Sequence, residues 1–506
     1  MEFKKTSLLG AFLLAFFIGV VVNFYNIKVI KTANPSNITD NARSLKYNKT
    51  IYSIDDYWYL PQIKNFINGN GFTYDTSSTL NMVRRTPIYP MFYGVHYVLF
   101  GEKGSHAAIR WTQLFLFALS AVFLLLAAFN FTKNKKIAWL TYLLYLLYFP
   151  LIAFVFYTIT EALYPSLMCF MLYGISRCKI IGKKRDYFIT GILAALCILT
   201  RPAIVFILPA IVVLILIYKQ YEIKKFTVAT LLFISGLAVV FSPWVIRNYI
   251  VTKGDIVVLE KFYDGDQMDY GMPNMHLKSW VSCWVNPANF SSERVSNKLI
   301  EALVFHDSVQ VEHVIDSIIQ TMPPPAYIGN SDSSIRGALR NLAFFYRASK
   351  RDLLPASITK PRETVATNSF LQLEDNFKNA PKGKQYIYFF TPLQYLKSLI
   401  FQSNASSLAF LDNYNGNPLK LLIKIMLLGI NIFSFASIFL ILIWYKKYKD
   451  IFWLAFIFSG LTYLIIMVIN KNFESRYIFP LVPILYITTS AVLVEVYLFI
   501  KRKLNF

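Results

Sequence analysis

Apolar stretches of membrane-spanning length recur from one end of this chain to the other, and nothing else in the sequence restricts the fold as strongly. A hydrocarbon layer about 30 Å thick takes roughly 20 consecutive apolar residues of helix to cross. Runs that meet or approach this length fall at 7–24, 107–131, 137–156, 159–175, 187–200, 203–218, 226–246, 419–445, 451–469 and 477–500. Backbone facing lipid must satisfy its own hydrogen bonds, which helices do. The expected fold is therefore an all-α polytopic membrane protein of about ten or more transmembrane helices. The run 7–24 follows a basic start and lacks a small-residue cleavage site, so it reads as a retained signal anchor.

Charge gives the helices a direction. The 506 residues include 51 Lys+Arg and 28 Asp+Glu, a formal charge of +23. Such a balance suits a polyanion partner unless its distribution explains it otherwise. With both termini cytoplasmic, the segments 1–5, 132–136, 176–186, 219–225, 446–450 and 501–506 hold 19 basic residues and four acids. That is the positive-inside pattern, so the charge sets orientation, and no nucleic-acid partner is expected.

Two long segments then face the outside of a plasma (inner) membrane. Residues 25–106 form a first outer loop within an N-terminal membrane module, 1–246. Residues 247–418 form a large mixed extracytoplasmic domain, followed by a C-terminal membrane module, 419–506. The large segment holds 17 basic and 16 acidic residues and is nearly neutral. Its run 386–401 is amphipathic and aromatic enough to lie at a membrane interface.

Metal and redox chemistry find little support. Cys169, Cys178, Cys197 and Cys283 form no C-x-x-C pair, and three lie in or beside apolar runs, as small hydrophobes do. Asp264, Gly265, Asp266 and Asp269 look like part of a calcium loop without its closing acid. His276, His306 and His313 lack metal-ligand spacing. No metal and no cofactor is expected. Glu495, near the inner end of the last run, reads as reaching toward the cytoplasmic interface.

The polar residues at the outer ends of the runs are more informative. Asp55 and Asp56 open an apolar segment that ends at the turn Asn68-Gly69-Asn70-Gly71. They suit either the N-cap of an interfacial helix or acid–base work. Arg84-Arg85-Thr86-Pro87-Ile88-Tyr89-Pro90 puts two arginines on the outer side, against the charge bias, where they suit headgroup anchoring or a phosphate. Glu161 follows Thr158-Ile159-Thr160 at the outer start of a run, and acids at membrane depth are functional by default. Thr200-Arg201-Pro202, Pro243-Trp244-Val245-Ile246-Arg247-Asn248-Tyr249 and Glu474-Ser475-Arg476-Tyr477 end or open other runs on the same side. Arginines and acids gathered at one mouth of a bundle suit a phosphate-bearing lipid beside a proton acceptor.

These motifs, in this order, resemble those of the GT-C superfamily of polytopic membrane glycosyltransferases. The likeness is greatest to the bacterial branch related to protein O-mannosyltransferases (glycosyltransferase family 39 type) and to the aminoarabinose transferase of lipid A. It covers 1–249 and the last run. The resemblance implies a metal-independent, inverting transfer of a sugar from a polyprenyl (undecaprenyl) monophosphate to an acceptor hydroxyl at the periplasmic face. Asp55 would be the general base, with Asp56 beside it, since the family commonly has Asp-Glu at this pair. Arg84, Arg85, Arg201, Arg247 and Arg476 would meet the donor phosphate, and Glu161 would orient an arginine or contact the acceptor. Implied acceptors are an envelope glycan such as O-antigen, lipid A or a protein. A lipid-linked sugar transporter or flippase is the reading from another class. It calls for paired halves and mid-membrane charges, which the sequence lacks.

Overall fold

The computed structural model describes residues 3–33, 59–73, 83, 85–260, 271–284, 292–305, 308–401, 418–466 and 475–503. Every regular element among them is helical. Among the described residues, five helices are long and apolar enough to cross a membrane: Lys5–Lys28, Ile88–Thr132, Ile223–Val251, Leu421–Ile465 and Val482–Lys503. The bent pair Lys135–Leu147 and Phe149–Phe156 makes a sixth if counted as one span. The chain divides into two units. One comprises Met1–Asp264, Phe401–Thr462 and Ser475–Phe506, the other Gly265–Ile400 and Tyr463–Glu474.

In the first unit, helix α1 (Lys5–Ala33) is followed by α2 (Leu60–Ile67) and α3 (Ile88–Thr132). The apolar run expected at 107–131 is the later part of α3, and helix already starts at Ile88. Gly101 interrupts it at φ 66°, ψ −178°, a conformation open almost only to glycine. The stretch 88–100 thus becomes a separate helical arm. It bares Met91, Val95, Val98, Leu99 and Phe100 and packs inward at Gly94, where an added Cβ would meet Ile63 of α2.

The run 137–156 breaks after α4 (Lys135–Leu147), because Pro150 in the next turn cannot donate a backbone hydrogen bond. Asn23 of α1 holds the broken end. Its Nδ2 donates to the carbonyls of Gly19 and Ile152, both at 2.8 Å, and its Oδ1 accepts from the Phe156 amide at 3.2 Å. Three shorter helices follow, α5 (Tyr164–Ile180), α6 (Lys184–Thr200) and α7 (Leu208–Tyr218, entered through a 3-10 stretch from Pro202), and then α8 (Ile223–Val251).

Helices α6 and α8 touch backbone to backbone. A Cβ added to Gly191 would lie 2.1 Å from the Phe233 carbonyl oxygen, and one on Gly236 2.1 Å from that of Phe188. Small residues are what permit such an approach between apolar helices. The contact couples two helices whose tips carry Arg201 and Arg247 at one end and Lys184 and Lys224 at the other.

Helix α15 (Pro418–Leu440) runs through a 3-10 stretch, Ile441–Trp444, into α16 (Tyr445–Ile465), with Tyr448 non-helical. This break falls among Lys446, Lys447, Lys449 and Asp450. Helix α17 (Val482–Lys503) closes the unit against α4 and α15. Glu495, expected to reach for the interface, is buried and bonded to Lys447 and to the Tyr448 hydroxyl.

In the second unit, α9 (Gly271–Trp284), α10 (Ser292–Phe305), α11 (Ser308–Thr321), α12 (Asp332–Tyr346) and α13 (Ala356–Asn379) enclose a core containing Trp280, Trp284, Leu299, Ile315, Leu339 and Phe370, and α14 (Thr391–Phe401) follows. No strand occurs among its described residues, although the sequence suggested a mixed domain. Its amphipathic helices are rich in Asn, Ser and Asp, which resemble loop in composition while packing as helix. The run 386–401 is helical and exposes Tyr388, Phe389 and Phe390.

Candidate active site

Glu161 sits in a 3-10 turn, Thr160–Ala162, just before α5. Pro165 in the first turn of α5 fits a helix start, and the turn ahead of it points the carboxylate inward, where it is 1% exposed. Arg201, the residue after α6, reaches it with Nη1 at 2.6 Å from Oε1 and also donates to Thr160 Oγ1 at 3.2 Å. Arg476, in the turn before α17, approaches the same Oε1 at 3.3 Å. The Thr160 hydroxyl donates to Oε2 at 2.9 Å. Two guanidiniums and one hydroxyl therefore converge on one buried carboxylate, drawn from positions up to 316 residues apart.

Aromatic rings fix the arginines. Arg201 lies over Tyr164 at 5.3 Å and Tyr477 at 5.6 Å, and the Tyr164 hydroxyl donates to the Arg476 carbonyl at 3.2 Å. Desolvated cation–π contacts of this kind each contribute ~2 kcal/mol. A buried carboxylate between two cations stays ionised and is a poor proton acceptor. It can instead hold the two guanidiniums at set positions, and guanidinium N–H groups suit the oxygens of a phosphate.

Arg247 is built differently. Its Nη1 donates to Asn248 Oδ1 at 2.8 Å and its Nη2 to the Phe72 carbonyl at 2.9 Å, and it stacks over Trp244 at 5.0 Å. Trp244 meets Phe72 edge-on at 6.0 Å. Through these contacts the end of α8 grips the segment before α3 just after the Gly69–Gly71 turn. Arg85 lies 3.9 Å from Glu260, whose other oxygen accepts from the Thr86 amide at 3.2 Å. Burial pushes the Glu260 carboxyl above the usual carboxylate range, while Arg85 and the Thr86 amide pull it down.

Of the residues singled out from the sequence, Glu161, Arg201 and Arg476 come into direct contact. Arg85 and Arg247 are held separately. Asp55, Asp56 and Arg84 lie outside the described residues, as do Asp264, Gly265, Asp266, Asp269 and His306. Among the described residues no three His, Cys, Asp or Glu side chains group as metal ligands.

Sequence reasoning passed over Glu260, which no motif marks. It also passed over Arg110, buried inside α3 between the rings of Trp111 and Phe156, each at 5.3 Å, with no hydrogen-bond partner for Nε among the described residues. An arginine inside an apolar run was the available signal there.

Residues 84–246 match the family model described as dolichyl-phosphate-mannose-protein mannosyltransferase. No curated protein matches the chain. Among solved structures, the chain is similar to the Archaeoglobus fulgidus oligosaccharyltransferase tethered with an acceptor peptide containing the NVT sequon. There the identity is 12% and the TM-score 0.48, with 99% of this chain and 51% of that one covered. The chain thus spans about half the length of that protein. It is also similar to ArnT from Cupriavidus metallidurans bound to undecaprenyl phosphate, at 14% identity and a TM-score of 0.35, covering 96% and 78%. The matched segment contains Arg85, Glu161 and Arg201 and stops one residue short of Arg247. Residues 84–246 are thus similar to a family of polyprenyl-phosphate-sugar-dependent membrane mannosyltransferases.

Proposed function

We propose that the protein is an inverting glycosyltransferase that takes a sugar from a polyprenyl monophosphate, such as undecaprenyl phosphate, and passes it to a hydroxyl of a cell-envelope glycan such as O-antigen. The observation that carries this reading is the convergence of Arg201 and Arg476 on the buried Glu161, beside the family segment 84–246. The family description names a polyprenol-type phosphate sugar, and one structural neighbour is described with bound undecaprenyl phosphate. Both support a lipid-phosphate donor.

In this reading the acceptor oxygen attacks the anomeric carbon from the face opposite the phosphate. The bond from that carbon to the phosphate oxygen breaks, and the phosphate leaves with the electron pair. Asp55, or Asp56 beside it, takes the acceptor's proton, since a hydroxyl is a weak nucleophile until deprotonated. The leaving phosphate gains negative charge, which preorganised cations stabilise most where water is scarce. Arg201 and Arg476 supply that charge, with Arg84, Arg85 and Arg247 at the donor's margins. Glu161 is a positioning residue that fixes the two guanidiniums. The scheme needs no metal, because arginines meet the phosphate charge. The active mouth faces the periplasm, opposite the lysine-rich cytoplasmic segments.

Purified protein incubated with radiolabelled polyprenyl-phosphate sugars tests the reading directly. Label should move to an envelope-glycan acceptor. Transfer to lipid A or to a peptide instead would change the acceptor, and movement of the intact lipid-linked sugar between leaflets without transfer would replace the enzyme with a flippase.

A further inference from the structure

The opposite tips of α6 and α8 border a groove that opens to the surroundings. Helix α6 has 17 residues, so this groove lies about 25 Å along the helix axis from Arg201. Its rim carries Lys184, Lys219, Lys224 and Lys225, and its wall is apolar, formed by Val228 and Leu232. Among the described residues only Lys225 of the four has an acid partner, Glu222 at 2.8 Å. Lys219 is steadied over the ring of the buried Tyr187 at 4.6 Å. Three ammonium groups thus face one space whose far side is hydrocarbon.

We infer that this groove binds an anionic phospholipid, with its phosphodiester among Lys184, Lys219 and Lys224 and its acyl chains running along Val228 and Leu232. A phosphodiester carries one charge and several acceptor oxygens, which suits lysines that can turn toward it. Basic pockets between membrane helices bind such headgroups by the same chemistry. An isolated soluble anion would gain nothing from the apolar wall, so a lipid fits the site as a whole. The groove is separate from the arginine cluster, and the inference stands independently of the proposed transfer reaction.

The test uses the full chain in phosphatidylcholine nanodiscs containing a small fraction of phosphatidylglycerol, with retained lipid counted by native mass spectrometry. Wild type should keep phosphatidylglycerol bound; retaining none would overturn the inference. The triple variant Lys184→Gln, Lys219→Gln, Lys224→Gln should lower retention about tenfold or more. A control removing the same charge elsewhere, Lys135→Gln, Lys136→Gln, Lys446→Gln, should leave it unchanged. Equal losses in the two would mean a general surface field and no site. Val228→Trp fills the groove without altering charge and should also release the lipid; undiminished retention would count against the site.

Discussion

Helices α6 and α8 end in cations at both tips, and the two tips treat them in opposite ways. At one, Arg201 is bonded to a buried carboxylate and sandwiched near two tyrosine rings, and Arg247 is tied to a carbonyl and stacked on Trp244. At the other, Lys184 and Lys224 are exposed and have no acid partner among the described residues. Sign of charge alone does not distinguish the tips. Arginine's planar fork, locked by pairing and stacking, gives a fixed cationic surface, which suits charge developing at a reacting centre. Lysines on flexible stems adapt to a mobile headgroup.

Four substitutions would break or sharpen this contrast. Gly191→Leu should have the largest effect, because the added side chain must displace the α8 backbone at Phe233 and so disturb both tips together. Loss of a monodisperse peak in detergent size-exclusion would show it, and a well-folded variant would mean that the helix contact is not required.

Glu161→Ala should come next. It leaves two arginines facing each other without their counter-ion, and removing one partner of a buried ion pair costs ~3–5 kcal/mol. Thermal unfolding should fall markedly and transfer should vanish. Arg201→Lys keeps the charge but not the fork or the stacking, so a loss of roughly 10²–10³ in turnover is expected with a smaller change in stability. Steady-state rates on labelled donor would measure it. Lys184→Gln should be the mildest, within about 0.5 kcal/mol in stability as an exposed substitution and with unchanged transfer. A chelator added to the wild-type assay should likewise leave the rate as it was.

Much of the bundle was legible because burial in lipid demands long apolar runs, and each run expected from the sequence falls at least in part on a helix. The breaks were only partly legible. Pro150 announces one, whereas Gly101 is a break only because its surroundings hold it at positive φ. The convergence of Glu161, Arg201 and Arg476 could be anticipated as shared depth, since the charge pattern puts all three at the same expected face of the bundle, but not as contact. Arg247 shows why the rest was hidden. Its partners are the carbonyl of Phe72 and a neighbouring amide side chain, and a backbone carbonyl leaves no trace in residue type. Glu260 is hidden for a related reason, because one of its bonds is to the amide of Thr86.

The central claim is that the arginine cluster around Glu161 holds the phosphate of a lipid donor. Binding of undecaprenyl phosphate to Arg476→Gln tests it most directly. This arginine makes the longer contact with Glu161 and leaves the Arg201 pair in place, so the fold should survive. The account predicts a folded variant whose affinity for undecaprenyl phosphate is weaker by about tenfold or more, as loss of a charge-assisted phosphate contact implies. A folded variant that binds the lipid as tightly as wild type would contradict it.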